Sequence, residues 1–275
     1  MSSRDQERSP QSDAPGEASQ GRAQVTDYFG RLASLHGEGE YYRNRRAAVV
    51  AAIAPELARA RSILDLGCGN GCYTADFKGI ARASRIVAAD VSFEMLAAAR
   101  QRGMSDIGLV RCDASVLPFS TGAWELIFCS HVLPFVADLD RSLAEIVRAL
   151  ASGGILIATF GGSGVRDQLR KRIDAEHWRR FDTIAFGAKQ LGRADTGEQR
   201  YRVAYERAGL VPQARDASFA VSWAGIEEWI GLRWLSLVDE PERAEAERIL
   251  KLMRPADQAS AALVLHEPLL LGRKP

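Results

Sequence analysis

The sequence has no apolar run approaching the roughly 18–20 residues of a membrane-spanning helix; Arg, Asp or Gly interrupts each long stretch. An integral helical span is excluded, and no membrane partner is expected. Cysteine is scarce: four in 275 residues make no disulfide scaffold. Cys68 and Cys72 stand four apart, but no second pair has metal-ligand spacing and no histidine completes a zinc set, so no metal is expected. Net charge is nearly absent, with 36 Lys and Arg against 35 Asp and Glu. Such a balance gives no long-range field to gather nucleic acid or anionic lipid. What is present is an ordinary globular composition, 47% hydrophobic and 26% charged, with chain enough for one large domain or two small ones.

Residues 1–24 hold Ser, Gln, Asp, Glu, Arg, Gly and Pro with almost nothing apolar, and are predicted to be disordered. They contain no apolar core of a signal peptide, and their acids argue against a transit peptide, so a cytoplasmic location is the default expectation. A single domain is expected over 25–275, opening with a helical cap over 25–60. Tyr28, Phe29, Leu32 and Leu35 fall three or four apart; 43–59 also reads as helical, with Pro55 as a break.

Beyond the cap the chain alternates. Apolar runs at 62–66, 85–90, 108–112, 124–129 and 155–160 read as strands. Between them, 92–102 opens on Ser92 as an N-cap and sets Phe93, Leu96 and Ala97 on one face. In 138–150 Leu139, Leu143, Ile146, Val147 and Leu150 share a face, and Gly153-Gly154 is expected to stop that helix. This rhythm predicts an α/β fold with a largely parallel sheet covered on both faces. After 160 the pattern changes. Helical insertions are expected over 161–200 and 225–256, a helix over 199–209, and strands at 217–223 and 267–272 that close the sheet.

The most informative segment is Ile63-Leu64-Asp65-Leu66-Gly67-Cys68-Gly69-Asn70-Gly71, a buried strand running into a glycine-rich turn. Glycines let the backbone turn sharply and approach a ligand closely, at the nucleotide position of a doubly wound sheet. A dinucleotide fingerprint requires glycine at the sixth position, where Cys72 stands. The turn has no Lys, which excludes a P-loop. Asp90 closes the second strand 21 residues past Gly69, where an acid can accept both hydroxyls of a ribose. Asp113 closes the third strand and could accept from an exocyclic adenine amine. Either acid alone is an ordinary cap or turn residue; the two in register with the glycines are not.

At these residues the chain resembles the class I S-adenosylmethionine-dependent methyltransferases. The likeness rests on ILDLGCGNG (63–71), Asp90, CDASVLPF (112–119) and the segment 124–160. It implies a Rossmann-like fold, a seven-stranded mostly parallel sheet with an antiparallel last strand, and S-adenosyl-L-methionine as cofactor. By the same resemblance Gly67 and Gly69 line the methionine and ribose portions, and Asp65 helps place the amino group. Asp90 holds the ribose hydroxyls, with Val91 and Met95 near the adenine. Asp113 and the Ala114 backbone meet the adenine edge, and the Ser130 backbone lies near the amino group. Tyr28 and Arg46, from the cap, reach toward the cofactor carboxylate. Many family members carry Glu-His where this chain has Pro134-Phe135, which implies a more apolar pocket wall.

Methyl transfer needs a general base only when the acceptor bears a proton of high pKa. His131 follows the fourth strand, where the methyl group is presented, and is the candidate base; a histidine serving only loop backbone is the plain alternative. Phe135, His177, Trp178 and Trp229 are the candidate acceptor contacts, His177 by closure of the insertion. Aromatics at helical spacing are commonly core, although a lid over an apolar substrate has the same pattern. The basic run 166–180 reads as a solvated face or a meeting point for an acidic group. A small-molecule acceptor in specialised metabolism is expected. Methylation of protein or RNA is the rival within enzymes, and non-catalytic cofactor binding the rival outside them. A nicotinamide oxidoreductase ranks behind both.

Overall fold

The computed structural model describes residues 27, 39–81, 85–104, 106–161, 164–186, 197–236, 238–256 and 262–275. Its strands are β1 (Ser62–Leu66), β2 (Arg85–Asp90), β3 (Gly108–Arg111), β4 (Trp124–Ser130), β5 (Leu150–Thr159), β6 (Val211–Val221) and β7 (Leu263–Arg273). They form one sheet in the order β3-β2-β1-β4-β5-β7-β6, with β7 antiparallel to both neighbours. The order reverses between β1 and β4, so the crevice outside their carboxyl ends is the ligand position of such sheets.

One face is covered by α1 (Gly39–Arg59), α2 (Cys72–Ile80) and α3 (Phe93–Gln101), which bury Val49, Ile53, Leu57, Phe77 and Leu96 against it. The other face is covered by α4 (Leu139–Ala149) and α7 (Glu198–Arg207) through Leu143, Ile146, Tyr201 and Tyr205. A further core joins α5 (Val165–Arg170), α6 (Ala175–Ala185), α8 (Trp223–Ile230) and α9 (Glu242–Leu252) to one end of β6 and β7. Tyr41 of α1 enters that core and stacks on Trp229 at 4.3 Å between ring centroids. Glu40 ties the same junction, accepting from the Ser222 amide at 2.7 Å.

Four local expectations change. Pro55 lies inside α1 and does not break it. Ile53 and Leu57 are fully buried on either side, and Arg215 donates to the Ala52 carbonyl at 2.5 Å beside the bond that proline cannot make. The helix after Asp138 ends at Ala149, and Gly153-Gly154 falls within β5. There the pairing jumps from Trp124↔Leu150 to Leu126↔Ile155, and Gly153 takes a φ of 73° to form the bulge. Phe93 is exposed; Met95, Leu96 and Ala99 form the buried face of α3. The two closing strands are also longer than 217–223 and 267–272, because their outer residues alternate with polar ones and mask the apolar signal. The helix expected around Tyr28 and the tail 1–24 lie outside the described residues.

Candidate functional site

The glycine turn is built by three left-handed glycines, Gly67, Gly69 and Gly71, with φ of 71°, 55° and 80°. The amides of Gly67 and Cys68 both donate to the Ala89 carbonyl of β2, at 2.7 and 3.0 Å. A Cβ on Gly67 would stand 2.1 Å from Val132 Cγ2, so only glycine fits. The Gly69 amide donates to Asp90 Oδ2 at 2.9 Å, and the Ser92 amide to Oδ1 at 2.9 Å. Asp90 thus clamps the turn to the start of α3. Burial raises its carboxyl above the ordinary aspartate range, against the pull of those amides.

Asp65 lies beneath the turn, 1% exposed, and accepts from the Thr74 hydroxyl at 2.5 Å. Burial, aided by the nearby Asp90 charge, pushes it up to about 7. Its carboxyl joins β1 to the first turn of α2. Asp113 stands beside Asp90 because the Cys112 amide donates to the Asp90 carbonyl at 3.1 Å. Its Oδ1 accepts from the Ser115 amide at 2.8 Å and the Ser115 hydroxyl at 2.7 Å. Ala114 and Met95 are buried behind this edge, and the Val91 carbonyl accepts from Arg111 at 3.0 Å. Tertiary structure therefore brings Gly67, Gly69, Asp90, Val91, Met95, Asp113 and Ala114 to the carboxyl ends of the adjacent strands β1, β2 and β3.

A second group gathers at the ends of β4, β5 and β7. His131 is held at φ 57°, uncommon for a residue with a side chain, and its amide donates to the Thr159 carbonyl at 2.8 Å. Its Nε2 lies 2.9 Å from Glu267 Oε1. Arg45 Nε lies 3.0 Å from Glu267 Oε2, and the same guanidinium donates to Ser130 Oγ at 3.1 Å. Ser130 Oγ in turn meets Thr159 Oγ1 at 3.2 Å. Burial opposes ionisation of Glu267, yet Arg45 first and His131 second hold its carboxyl down to about 2. Burial likewise opposes the Arg45 charge, and Glu267 more than restores it.

Other predicted site residues fall elsewhere. Arg46 ion-pairs with Asp76 of α2 at 2.7 Å. Phe135 is half-buried in a short turn, Leu133–Phe135. His177 faces Asp174, the N-cap of α6, across 2.8 Å. Trp178 and Trp229 are buried in the core that joins α5, α6, α8 and α9 to β6 and β7. Tyr28 lies outside the described residues. The basic run is largely engaged: Arg166 pairs with Asp182, Arg180 with Glu245, and Arg172 lies over the Trp223 ring.

Arg45, Glu267, Thr74 and Thr159 escaped the sequence reading. Two of them left a signal. Arg45 interrupts the apolar stripe Tyr41, Val49, Ile53 and Leu57 at its four-residue spacing, and Glu267 takes the inward slot of the alternation Leu263, Leu265, Leu269 and Leu271 in β7. A charge in such a place needs a buried partner.

Residues 64–158 match the methyltransferase domain family. A demethylmenaquinone methyltransferase of Thermobifida fusca is 37% identical over 135 residues, covering 48% of this chain and 54% of that protein. A malonyl-[acyl-carrier protein] O-methyltransferase of Legionella pneumophila is 33% identical over 112 residues, 40% of this chain and 39% of that protein. The chain thus spans about half or less of the length of these curated relatives. A Haemonchus contortus phosphoethanolamine N-methyltransferase, solved with phosphomonomethylethanolamine and S-adenosylhomocysteine, superposes with a TM-score of 0.59 at 17% identity. The match covers 95% of this chain and 61% of that one. Among the described residues no helix is long and apolar enough to cross a membrane.

Proposed function

From the premise that residues 64–158 belong to the class I S-adenosylmethionine-dependent methyltransferases, we propose that this protein transfers a methyl group from S-adenosyl-L-methionine to a small organic acceptor in specialised metabolism. The observation that carries the proposal is the Gly69 amide on Asp90 Oδ2 at 2.9 Å, beside a Gly67 that tolerates no Cβ. These residues fit the cofactor. The turn lets backbone approach it, and each Asp90 oxygen, bonded to one amide, keeps acceptor capacity for ribose hydroxyls. When bound, the cofactor supplies a methyl group activated on a sulfonium. The chain's task is then to align the acceptor and exclude water, for which the helical lid core is suited. Asp113, with the Ala114 backbone, holds the adenine edge. Asp65, through Thr74, supports α2 behind the turn.

One curated relative is named for demethylmenaquinone, which supports the small-molecule reading, and another for a malonyl group borne on an acyl-carrier protein. A cytoplasmic enzyme without a nucleic-acid partner is part of the proposal. The test is calorimetric binding of S-adenosylhomocysteine, followed by labelled methyl transfer into a metabolite panel with products identified by mass. Micromolar binding with a labelled small product is the expected result. Binding without transfer to any small molecule, protein or RNA would leave a non-catalytic binding protein; no binding at millimolar concentration overturns the reading altogether.

A further inference from the structure

Resting on the methyl-transfer reading above, we infer that Glu267 is the positioning residue for a proton-accepting His131, and that the acceptor is a phenol or an enol. Three side chains form the group, and they differ in access. Arg45 and Glu267 are 10% and 1% exposed, while the His131 ring is 27% exposed. Glu267 divides its oxygens between two neighbours, Oε2 toward the Arg45 guanidinium and Oε1 toward the His131 imidazole. Arg45 already balances the buried carboxylate, so charge balance alone does not call for the histidine.

The other groups facing this cluster are Tyr41 and Tyr42 of α1 near Arg45, Tyr73 of α2, whose hydroxyl burial keeps protonated, with Arg46 near it, and the hydroxyls of Ser130 and Thr159. A carboxylate on Nε2 favours the tautomer with its proton there, which makes Nδ1 the basic nitrogen. Two constraints place the ring: the left-handed backbone locked to Thr159, and the 2.9 Å approach of Nε2 to the Glu267 carboxylate of β7. The ring stands at the carboxyl end of β4, next to the crevice between β1 and β4.

In the reaction the acceptor hydroxyl passes its proton to His131 Nδ1. The oxygen lone pair forms the bond to the methyl carbon, and the carbon–sulfur pair stays on sulfur. Glu267 faces the charge gained by the ring, and the proton leaves to solvent from the partly open ring. A carboxylate acceptor, already ionised, makes no use of this arrangement.

The test is nuclear magnetic resonance of the full chain with ¹⁵N-labelled imidazoles. His131→Gln identifies the His131 signals, and the other histidines serve as controls. The expected result is an Nε2–H tautomer in the native protein, with proton affinity at least about tenfold weaker in Glu267→Gln and S-adenosylhomocysteine binding retained. An Nδ1–H tautomer, or a titration unmoved by Glu267→Gln, overturns the inference. If that variant does not fold, the native tautomer decides. Failure of S-adenosylhomocysteine to bind the native protein overturns the methyl-transfer reading instead. In the metabolite panel, methyl ethers of phenols or enols support the acceptor class, and methyl esters of carboxylic acids as the sole products overturn it.

Discussion

Gly69 gives its amide hydrogen to Asp90 Oδ2 across 2.9 Å, so the acid that ends β2 organises the turn that ends β1. Asp90 thus orders the turn, and under the proposed function the same carboxylate also takes the ribose hydroxyls. Asp90→Ala is expected to weaken S-adenosylhomocysteine binding by at least about 30-fold, roughly 2 kcal/mol for lost charged hydrogen bonds. Calorimetry checks this; unchanged affinity would remove Asp90 from the binding site.

Gly67 has φ 71° and no room for a Cβ beside Val132. Gly67→Ala is expected to destabilise the fold by about 1–3 kcal/mol from backbone strain, with a clash added. Adding Val132→Ala removes the clash but not the strain, so urea unfolding should show partial recovery. Full recovery or none would contradict this division.

The raised Asp65 carboxyl sets a pH dependence. Its unfolded value is 3.8 and its folded value about 7, so the folded chain holds the proton more tightly. This group's contribution therefore favours folding below 3.8 and is lost as pH rises toward about 7. Glu267 acts oppositely: depressed from 4.5 to about 2, it contributes stability above 4.5 that is lost as pH falls toward about 2. Asp65→Asn is expected to flatten the decline of stability between about pH 4 and pH 7. Urea midpoints measured across that window provide the comparison; an unchanged slope would refute the assignment.

Arg45→Met is expected to cost about 3–5 kcal/mol, because Glu267 then stays buried without its principal cation. Arg45→Met combined with Glu267→Gln should be less damaging than Arg45→Met alone. Equal or greater damage in the double variant would show that the arginine matters through packing.

Trp229 stacks on Tyr41 inside the lid core. Trp229→Ala is expected to lower stability by about 3–5 kcal/mol while S-adenosylhomocysteine affinity in the folded fraction is retained. Thermal unfolding and calorimetry together separate this core role from a ligand role.

Much of the half that carries the glycine turn is legible in the sequence alone. Strands β1 to β4 were recognisable as nearly continuous apolar runs, and the Ser92 cap, whose hydroxyl accepts from the Met95 amide and donates to Glu94, stood where expected. The glycine turn and the acids at their ends followed because glycine conformation and strand-end acids are local features. Misreadings arose where packing overrode a local rule. Pro55 is carried through by Ile53 and Leu57, and Gly153-Gly154 serves a bulge rather than a helix end. The tryptophans of the lid read equally as core or contact, since helical spacing reports burial without naming what lies across from it.

By itself, then, the sequence determined the α/β alternation, the glycine turn and the acids Asp90 and Asp113, all of which depend on neighbours within a few residues. Tertiary structure alone decided that Arg45, not Arg46, turns inward, and that Glu267 reaches His131. Those contacts join positions 45, 131 and 267. They exist because an antiparallel β7 inserts beside β5 and α1 crosses the sheet, and no local pattern encodes which buried charge will meet which.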